Sequence, residues 1–127
     1  MRIGDIMNPT LETIDPDQSI MEAACKMRDL SVSSLTVVDG DKFLGVITDR
    51  DICCRAVCDG RAPATTPVRQ IMSKDTAYCF SDQKIAEAAQ MMEDKRLRRL
   101  AVLDRNHKAI GTVWLDDLAR HAHRSAH

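Results

Sequence analysis

Aromatic side chains make up only 3% of the 127 residues, as two Phe, one Tyr and one Trp. So small a set denies the chain the rows of stacking rings that single-stranded nucleic-acid binders use. Any core must be built from aliphatic side chains, Ala, Met and Cys. Charge of one sign is missing too: 18 basic residues face 19 acidic ones, for a formal net charge of −1. That balance excludes a highly basic nucleic-acid binder and a strongly acidic tail, while leaving room for local patches. No window approaches the ~20 apolar residues of a membrane-spanning helix. The opening MRIGDIMNPTLETIDPD contains no apolar stretch resembling a signal-peptide core. A cytosolic protein is expected, with neither membrane nor nucleic acid as partner.

Cysteine is present without a pattern. Cys25, Cys53, Cys54, Cys58 and Cys79 form an odd set with no CxxC pair. In a reducing compartment they read as small, partly buried hydrophobes. A structural zinc site wants four ligands and no matching pair is visible, although Cys54 and Cys58 share a face if their segment is helical. Met7, Met72, Met91 and Met92 read as core or interface filling. The polar tail from His121, with His123 and His127, reads as frayed rather than metal-binding. No nucleophile–base pair or metal cluster supports catalysis, so no enzyme activity and no required cofactor are expected.

Length and hydrophobic content (44%) are those of an ordinary domain with a self-sufficient core. The internal organisation is more specific. At an offset of 65, Ile6-Met7 meets Ile71-Met72, Asp17-Gln18 meets Asp82-Gln83, and Ile20 meets Ile85. Glu22-Ala23-Ala24 then meets Glu87-Ala88-Ala89, and the match runs on to Asp39 and Asp104. The 34 gapless positions from Ile6 to Asp39 hold 13 identities, where average residue usage gives roughly two by chance. One extra residue in the second copy then shifts the offset to 66, pairing Gly45 with Gly111 and Asp51 with Asp117. The chain divides into repeats at 1–62 and 63–127. Two copies are too few for a solenoid, so a pair sharing one core is expected.

Each copy reads strand, helix, strand, strand, helix. Ile20, Ala23, Ala24, Met27 and Leu30 follow the spacing of a buried helical stripe, with Asp17 or Ser19 as its cap. Leu35–Val38 and Phe43–Ile47 predict a hairpin about Asp39-Gly40-Asp41. A helix is predicted from near Thr48 to about Cys58, and the proline-bearing stretch 61–67 is a linker. The second copy predicts a helix over Ile85–Asp94, strands over Leu100–Leu103 and Ala109–Val113, and a helix from about Trp114 to Arg120.

Gly45-Val46-Ile47-Thr48-Asp49-Arg50-Asp51 runs a strand straight into a helix N-terminus, and two readings stand. Thr-x-x-Asp is the spacing of a capping box, in which Thr48 caps the helix and Asp51 reaches back to the backbone. The same geometry suits a ligand. A helix N-terminus favours a phosphate, a hydroxyl there donates to it, and a carboxylate accepts from both hydroxyls of a ribose. The run Lys95-Arg96-Leu97-Arg98-Arg99 reads either as a solvated face or as a local anion contact, and without neighbouring aromatics it is a poor nucleic-acid patch.

With its ordered duplicate, this sequence resembles a pair of CBS domains, the regulatory unit also called a Bateman module, and most closely the stand-alone bacterial members. The resemblance runs from Ile6-Met7 to Asp117-Leu118. It implies an α/β (α+β) fold of tandem repeats packed with pseudo-twofold symmetry. It also implies an adenosine-containing ligand (AMP, ADP, ATP, S-adenosylmethionine or an NAD-type molecule) held in a cleft between repeats. By that resemblance the first cleft places Asp51 on the ribose, Thr48 near the phosphate, and Ile47 and Arg50 beside them. The opposite copy supplies Arg98 and Arg99 to phosphate, with Ser81, Ala86 and Leu97 near adenine. The second cleft departs from the pattern: Trp114 stands where Thr or Ser is expected. Asp117 remains, while Ser33 and Ser34 replace the arginine pair, so this cleft is expected to be weaker, occluded or altered. The resemblance further implies a homodimer acting on a separate regulated protein. The alternative is a ligand-independent interaction scaffold in which Thr48 and Asp51 only cap a helix.

Overall fold

The computed structural model describes residues 1–74 and 78–125, the last five as backbone. Thirteen short elements follow one another. They are α1 (Ile3–Ile6), β1 (Thr13–Ile14), α2 (Ile20–Leu30), β2 (Ser34–Asp39), β3 (Lys42–Thr48) and α3 (Asp49–Asp51). A π-helical stretch, Ile52–Val57, continues α3, and a 3-10 turn covers Val68–Gln70. Then come β4 (Tyr78–Phe80), α4 (Ile85–Lys95), β5 (Arg99–Leu103), β6 (Ala109–Trp114) and α5 (Leu115–Ser125). The strands form two separate three-stranded sheets, β1-β2-β3 and β4-β5-β6. In each, the first pair is parallel and the second is an antiparallel hairpin. The fold is mixed α/β, as expected.

The repeat is visible residue by residue. Ser31 and Arg96, 65 apart, both take φ 56° as left-handed ends of α2 and α4. Val37/Val38 and Val102/Leu103 carry the same register shift in β2 and β5. Both faces of β2 are buried, which explains its unbroken apolar run: Leu35 and Val37 are fully covered, and Thr36 and Val38 nearly so. Ser19, rather than Asp17, caps α2 by accepting from the Glu22 N–H at 3.1 Å. Two members of the predicted helical stripe are not core. Ala24 is exposed and Leu30 is 44% exposed, because the buried face of α2 narrows to Ile20, Ala23 and Met27.

Two compact units result, and only one of them is contiguous in sequence. One is Glu12–Thr76; the other joins Met1–Leu11 to Ala77–His127. The sequence repeats at 1–62 and 63–127 and the packing units therefore divide the chain differently. Each duplicated Ile-Met segment packs on the unit that precedes or follows its own repeat. Ile71 and Met72 are buried in the first core with Val68, and Ile3 is buried in the second. Ser73 exchanges backbone hydrogen bonds with Val46 at 3.1 and 2.9 Å, and Asn8 does the same with Thr112 at 2.8 Å each way. Glycine permits both approaches. A Cβ on Gly45 would overlap the Ser73 carbonyl oxygen, and one on Gly111 would lie 2.7 Å from that of Asn8.

The linker of residues 61–67 is pinned rather than slack: Ile20 N–H donates to Thr66 at 2.9 Å and Met21 N–H to Pro63 at 3.2 Å. At the far end, the tail expected to fray from His121 continues α5 to Ser125. His127 lies outside the described residues. Of the cysteines, Cys79 is buried and Cys25 half-buried, but Cys53, Cys54 and Cys58 are exposed instead of partly buried. Their stretch buries only Ala56.

Candidate functional site

The β3–α3 junction carries the polar arrangement that the sequence singled out. Thr48 is extended at φ −115° and ψ 163° and ends the strand, so its carbonyl and side chain face the start of the helix. Its Oγ1 accepts from the Asp51 N–H at 3.0 Å, and its own N–H donates to Asp51 Oδ2 at 3.0 Å. The capping box is therefore complete. Asp49 N–H donates to the Ser33 carbonyl at 2.9 Å, tying the helix start to the residue before β2. Arg50 is exposed beside this junction, whereas Ile47 turns its side chain into the core.

A third group joins the pair, and sequence reasoning did not find it. Ser73 Oγ lies 3.2 Å from Asp51 Oδ1 and 3.3 Å from Oδ2, so its hydroxyl donates to the carboxylate. The signal was the repeat itself, because Ser73 directly follows the duplicated Ile71-Met72. Arg55 secures the same segment, donating from Nη1 to the carbonyls of Ile71 at 3.2 Å and Met72 at 3.1 Å. Asp51 and Thr48 remain half-buried. The carboxylate thus sits at a helix start, held by one backbone and one hydroxyl donor, with part of its surface open to solvent.

The equivalent junction of the other unit is built differently. Leu115 N–H donates to the Arg98 carbonyl at 2.8 Å, the counterpart of the Asp49–Ser33 bond. Trp114, however, offers no hydroxyl and is 44% exposed. The Arg99 guanidinium stands 5.3 Å from the Trp114 ring centre, a cation–π contact that follows from their direct cross-strand pairing. Asp117 pairs with Arg120 on its own helix. Arg98 and Ala86 are exposed, while Ser81 and Leu97 are half-buried. Ser81 uses its backbone within the unit, accepting from Gly4 N–H at 2.8 Å and donating to Leu103 at 3.0 Å.

Ile47, Thr48, Arg50, Asp51, Ser33 and Ser34 belong to the unit Glu12–Thr76, and Ser81, Ala86, Leu97, Arg98, Arg99, Trp114 and Asp117 to the other. Within the first unit, the structure brings Thr48, Asp51 and Ser73 together. Within the second it joins Arg99 to Trp114. A cavity of about 490 Å³ on the first unit is bordered by Asp15, Asp17 and Glu22 and does not include Thr48 or Asp51. Its carboxylates make it unsuited to a phosphate. Among the described residues, no three His, Cys, Asp or Glu are placed to hold a metal ion, and no helix is long and apolar enough to cross a membrane.

Two β-α-β-β-α units, one of them with a Thr-x-x-Asp helix start, define a class of paired α/β domain, and comparison with known proteins supplies the family. The CBS domain model matches residues 3–55 and 68–124. The chain belongs to the CBS domain family, as a tandem pair. It is 35% identical over 117 residues to the CBS domain-containing protein YhcV of Bacillus subtilis, covering 92% of this chain and 82% of that one. A Methanopyrus kandleri protein is 33% identical over 117 residues, and there the match covers 91% of this chain but only 60% of the relative. The crystal structure of Hypoxic Response Protein I, solved with two coordinated zinc ions, superposes with a TM-score of 0.86 at 29% identity. That match covers 95% of this chain and 98% of the other. More distant pairs share the fold. One was solved with 5′-methylthioadenosine and S-adenosyl-L-methionine (TM-score 0.78, 24% identity, 98% of each chain covered). CBSX2 of Arabidopsis thaliana was solved with AMP (TM-score 0.81, 22% identity, covering 99% of this chain and 98% of that one).

Proposed function

We propose that this chain is a non-enzymatic regulatory module that binds an adenosine-containing ligand at the Thr48–Asp51 helix start. The observation that carries the reading is the half-buried Asp51 carboxylate, held by the Thr48 N–H and the Ser73 hydroxyl at the first helical turn of one repeat only. A carboxylate has about four lone-pair sites. Among the described residues Oδ1 accepts from Ser73 alone, which leaves it able to take the hydroxyls of a ribose. Thr48 Oγ1 accepts from the Asp51 N–H, so its own proton is available to a phosphate oxygen. The Arg50 guanidinium beside it supplies positive charge.

The fold-related pairs solved with AMP or with S-adenosyl-L-methionine support this ligand class. By family resemblance, Ile47, Ser81, Ala86, Leu97, Arg98 and Arg99 complete the site, with the repeats 1–62 and 63–127 acting as one module. Arg99 brings its Trp114 contact to that role. The module works in the cytoplasm as a homodimer, and ligand occupancy changes its contact with a separate partner protein. Sedimentation with and without nucleotide tests the dimer.

Calorimetry with AMP, ADP, ATP and S-adenosylmethionine tests the ligand. Asp51→Ala is expected to abolish binding and Asp117→Ala to leave it nearly intact. Absence of binding by all four at millimolar concentration sinks the reading, and the reverse pattern of the two variants moves the site to the Trp114 junction. The complete capping box favours a second reading, in which Thr48 and Asp51 only satisfy the helix end and the module is an interaction scaffold. On that reading Thr48→Ala lowers stability and removes no binding.

A further inference from the structure

The exposed cysteines lie where the helix after β3 is wound as a π-helix, with the Cys58 N–H reaching back to the Cys53 carbonyl at 3.3 Å. Winding of this kind takes about 4.4 residues per turn, so each residue advances by about 80°. Counting from Cys53, Val57 then stands about 30° to one side, while Cys58 and Cys54 stand about 50° and 80° to the other. Burial agrees with that wheel. Val57 is 63% exposed and all three cysteines are exposed, whereas Ala56 on the opposite side is 1% exposed. Arg55 turns away to the carbonyls of Ile71 and Met72. In ordinary α-winding, at about 100° per residue, Cys58 would lie about 140° from Cys53. The wider winding sets Cys58 between Cys53 and Cys54 on one solvent-facing surface.

We propose that Cys54 and Cys58 are a reversible thiol–disulfide pair. An ideal π-turn puts Cα atoms four residues apart at about 5 Å, inside the roughly 4.4–6.8 Å that a disulfide spans, and a tightening of the turn by about 0.5–1 Å brings the Cβ atoms from about 5 Å into the roughly 3.5–4.5 Å that the bond requires. Their side chains diverge by only about 30°. Cys53 and Cys54 are adjacent in sequence and point about 80° apart, which makes that pair the poorer one. The oxidant is hydrogen peroxide. One thiolate attacks a peroxide oxygen, becoming a sulfenic acid as water leaves, and the other thiol then attacks that sulfur and expels a second water. Two thiols and one hydrogen peroxide thus give one disulfide and two waters, and a dithiol reductant reverses the step. The remaining cysteines stand apart from this chemistry. Cys79 is buried, with its thiol pushed up to about 12, and Cys25 is half-buried.

The test treats the folded protein with stoichiometric hydrogen peroxide, blocks residual thiols with N-ethylmaleimide, and digests with trypsin without reduction. Cleavage after Arg50, Arg55 and Arg61 separates Asp51–Arg55 from Ala56–Arg61, so the disulfide appears as these two peptides joined. The intact monomer is expected to lose about 2 Da, two hydrogens, and to regain them with dithiothreitol. Cys53→Ser should keep the linked peptides and Cys54→Ser should lose them. Loss in Cys53→Ser with retention in Cys54→Ser overturns the assignment. A link found only in a covalent dimer, or maleimide on all three exposed thiols after peroxide, overturns the pair itself. Nucleotide plays no part in the assay, so its outcome stands apart from the ligand reading.

Discussion

Replacing Gly45 by alanine puts a methyl group onto the carbonyl oxygen of Ser73. The strand and the incoming segment must then separate, and the loss can be worked out group by group. Two backbone hydrogen bonds join Val46 to Ser73, at 3.1 and 2.9 Å, each worth about 1 kcal/mol net. Ile71 and Met72, 1% and 6% exposed, are carried by the same segment, so a small retreat also loosens two core side chains. The expected cost is about 2–3 kcal/mol, or about 8–12 °C in Tm for a chain of this size at about 4 °C per kcal/mol. Gly40 is the control. It has φ +67° and nothing within 4 Å of a new Cβ, so Gly40→Ala should cost only about 1 kcal/mol for the left-handed backbone. Urea titration of both variants, with Tm by circular dichroism, measures the difference. If Gly45→Ala proves no less stable than Gly40→Ala, the close approach of the two backbones is not what holds the segment in place. The same substitution should also weaken any ligand held by Asp51, because Ser73 would no longer donate to it.

Thr48→Ala should lower stability by about 0.5–2 kcal/mol through loss of the cap, with Thr48→Ser restoring most of it in the same urea titration. Arg55→Met removes the donor shared by the Ile71 and Met72 carbonyls and should cost about 1–3 kcal/mol, read as a lower urea midpoint. Trp114→Thr replaces the indole beneath Arg99 with the hydroxyl that the first repeat carries; Trp fluorescence vanishes with it, and calorimetry should register a second nucleotide site if the hydroxyl is what that junction lacks. Cys79 supplies a pH signature. Burial raises its thiol from 9.0 to about 12, so the folded state holds a proton that the unfolded chain releases. That contribution is complete below about pH 9 and is lost as pH rises toward about 12. Stability should therefore fall over this window, and less steeply in Cys79→Ala.

Much of the fold was legible in the sequence because the repeat doubled every signal. Leu35–Asp39 and Leu100–Asp104 marked the same strand twice, and Asp39-Gly40-Asp41 marked its turn. Ala24 and Leu30 were misplaced because helical periodicity gives the direction of the buried stripe but not its width, which depends on what lies against it. Cys53, Cys54 and Cys58 read as small, partly buried hydrophobes because composition carries no information about exposure, yet all three are exposed. The polarity of the tail predicts fraying, whereas α5 continues through it to Ser125.

The candidate site divides along the same line. Thr48 and Asp51 are three residues apart, so their reciprocal hydrogen bonds depend only on local backbone geometry, and the amino-acid order alone determines them. So does the loss of that pair at Trp114. Ser73 is 22 residues from Asp51, and only the return of the chain to the edge of β3 brings its hydroxyl to the carboxylate. The Arg99–Trp114 contact needs the register of β5 against β6. Local chemistry was written in the order of residues. Which distant segment meets it, and how tightly the helix beyond is wound, was decided by packing, because contacts between remote segments form only when a common core holds them.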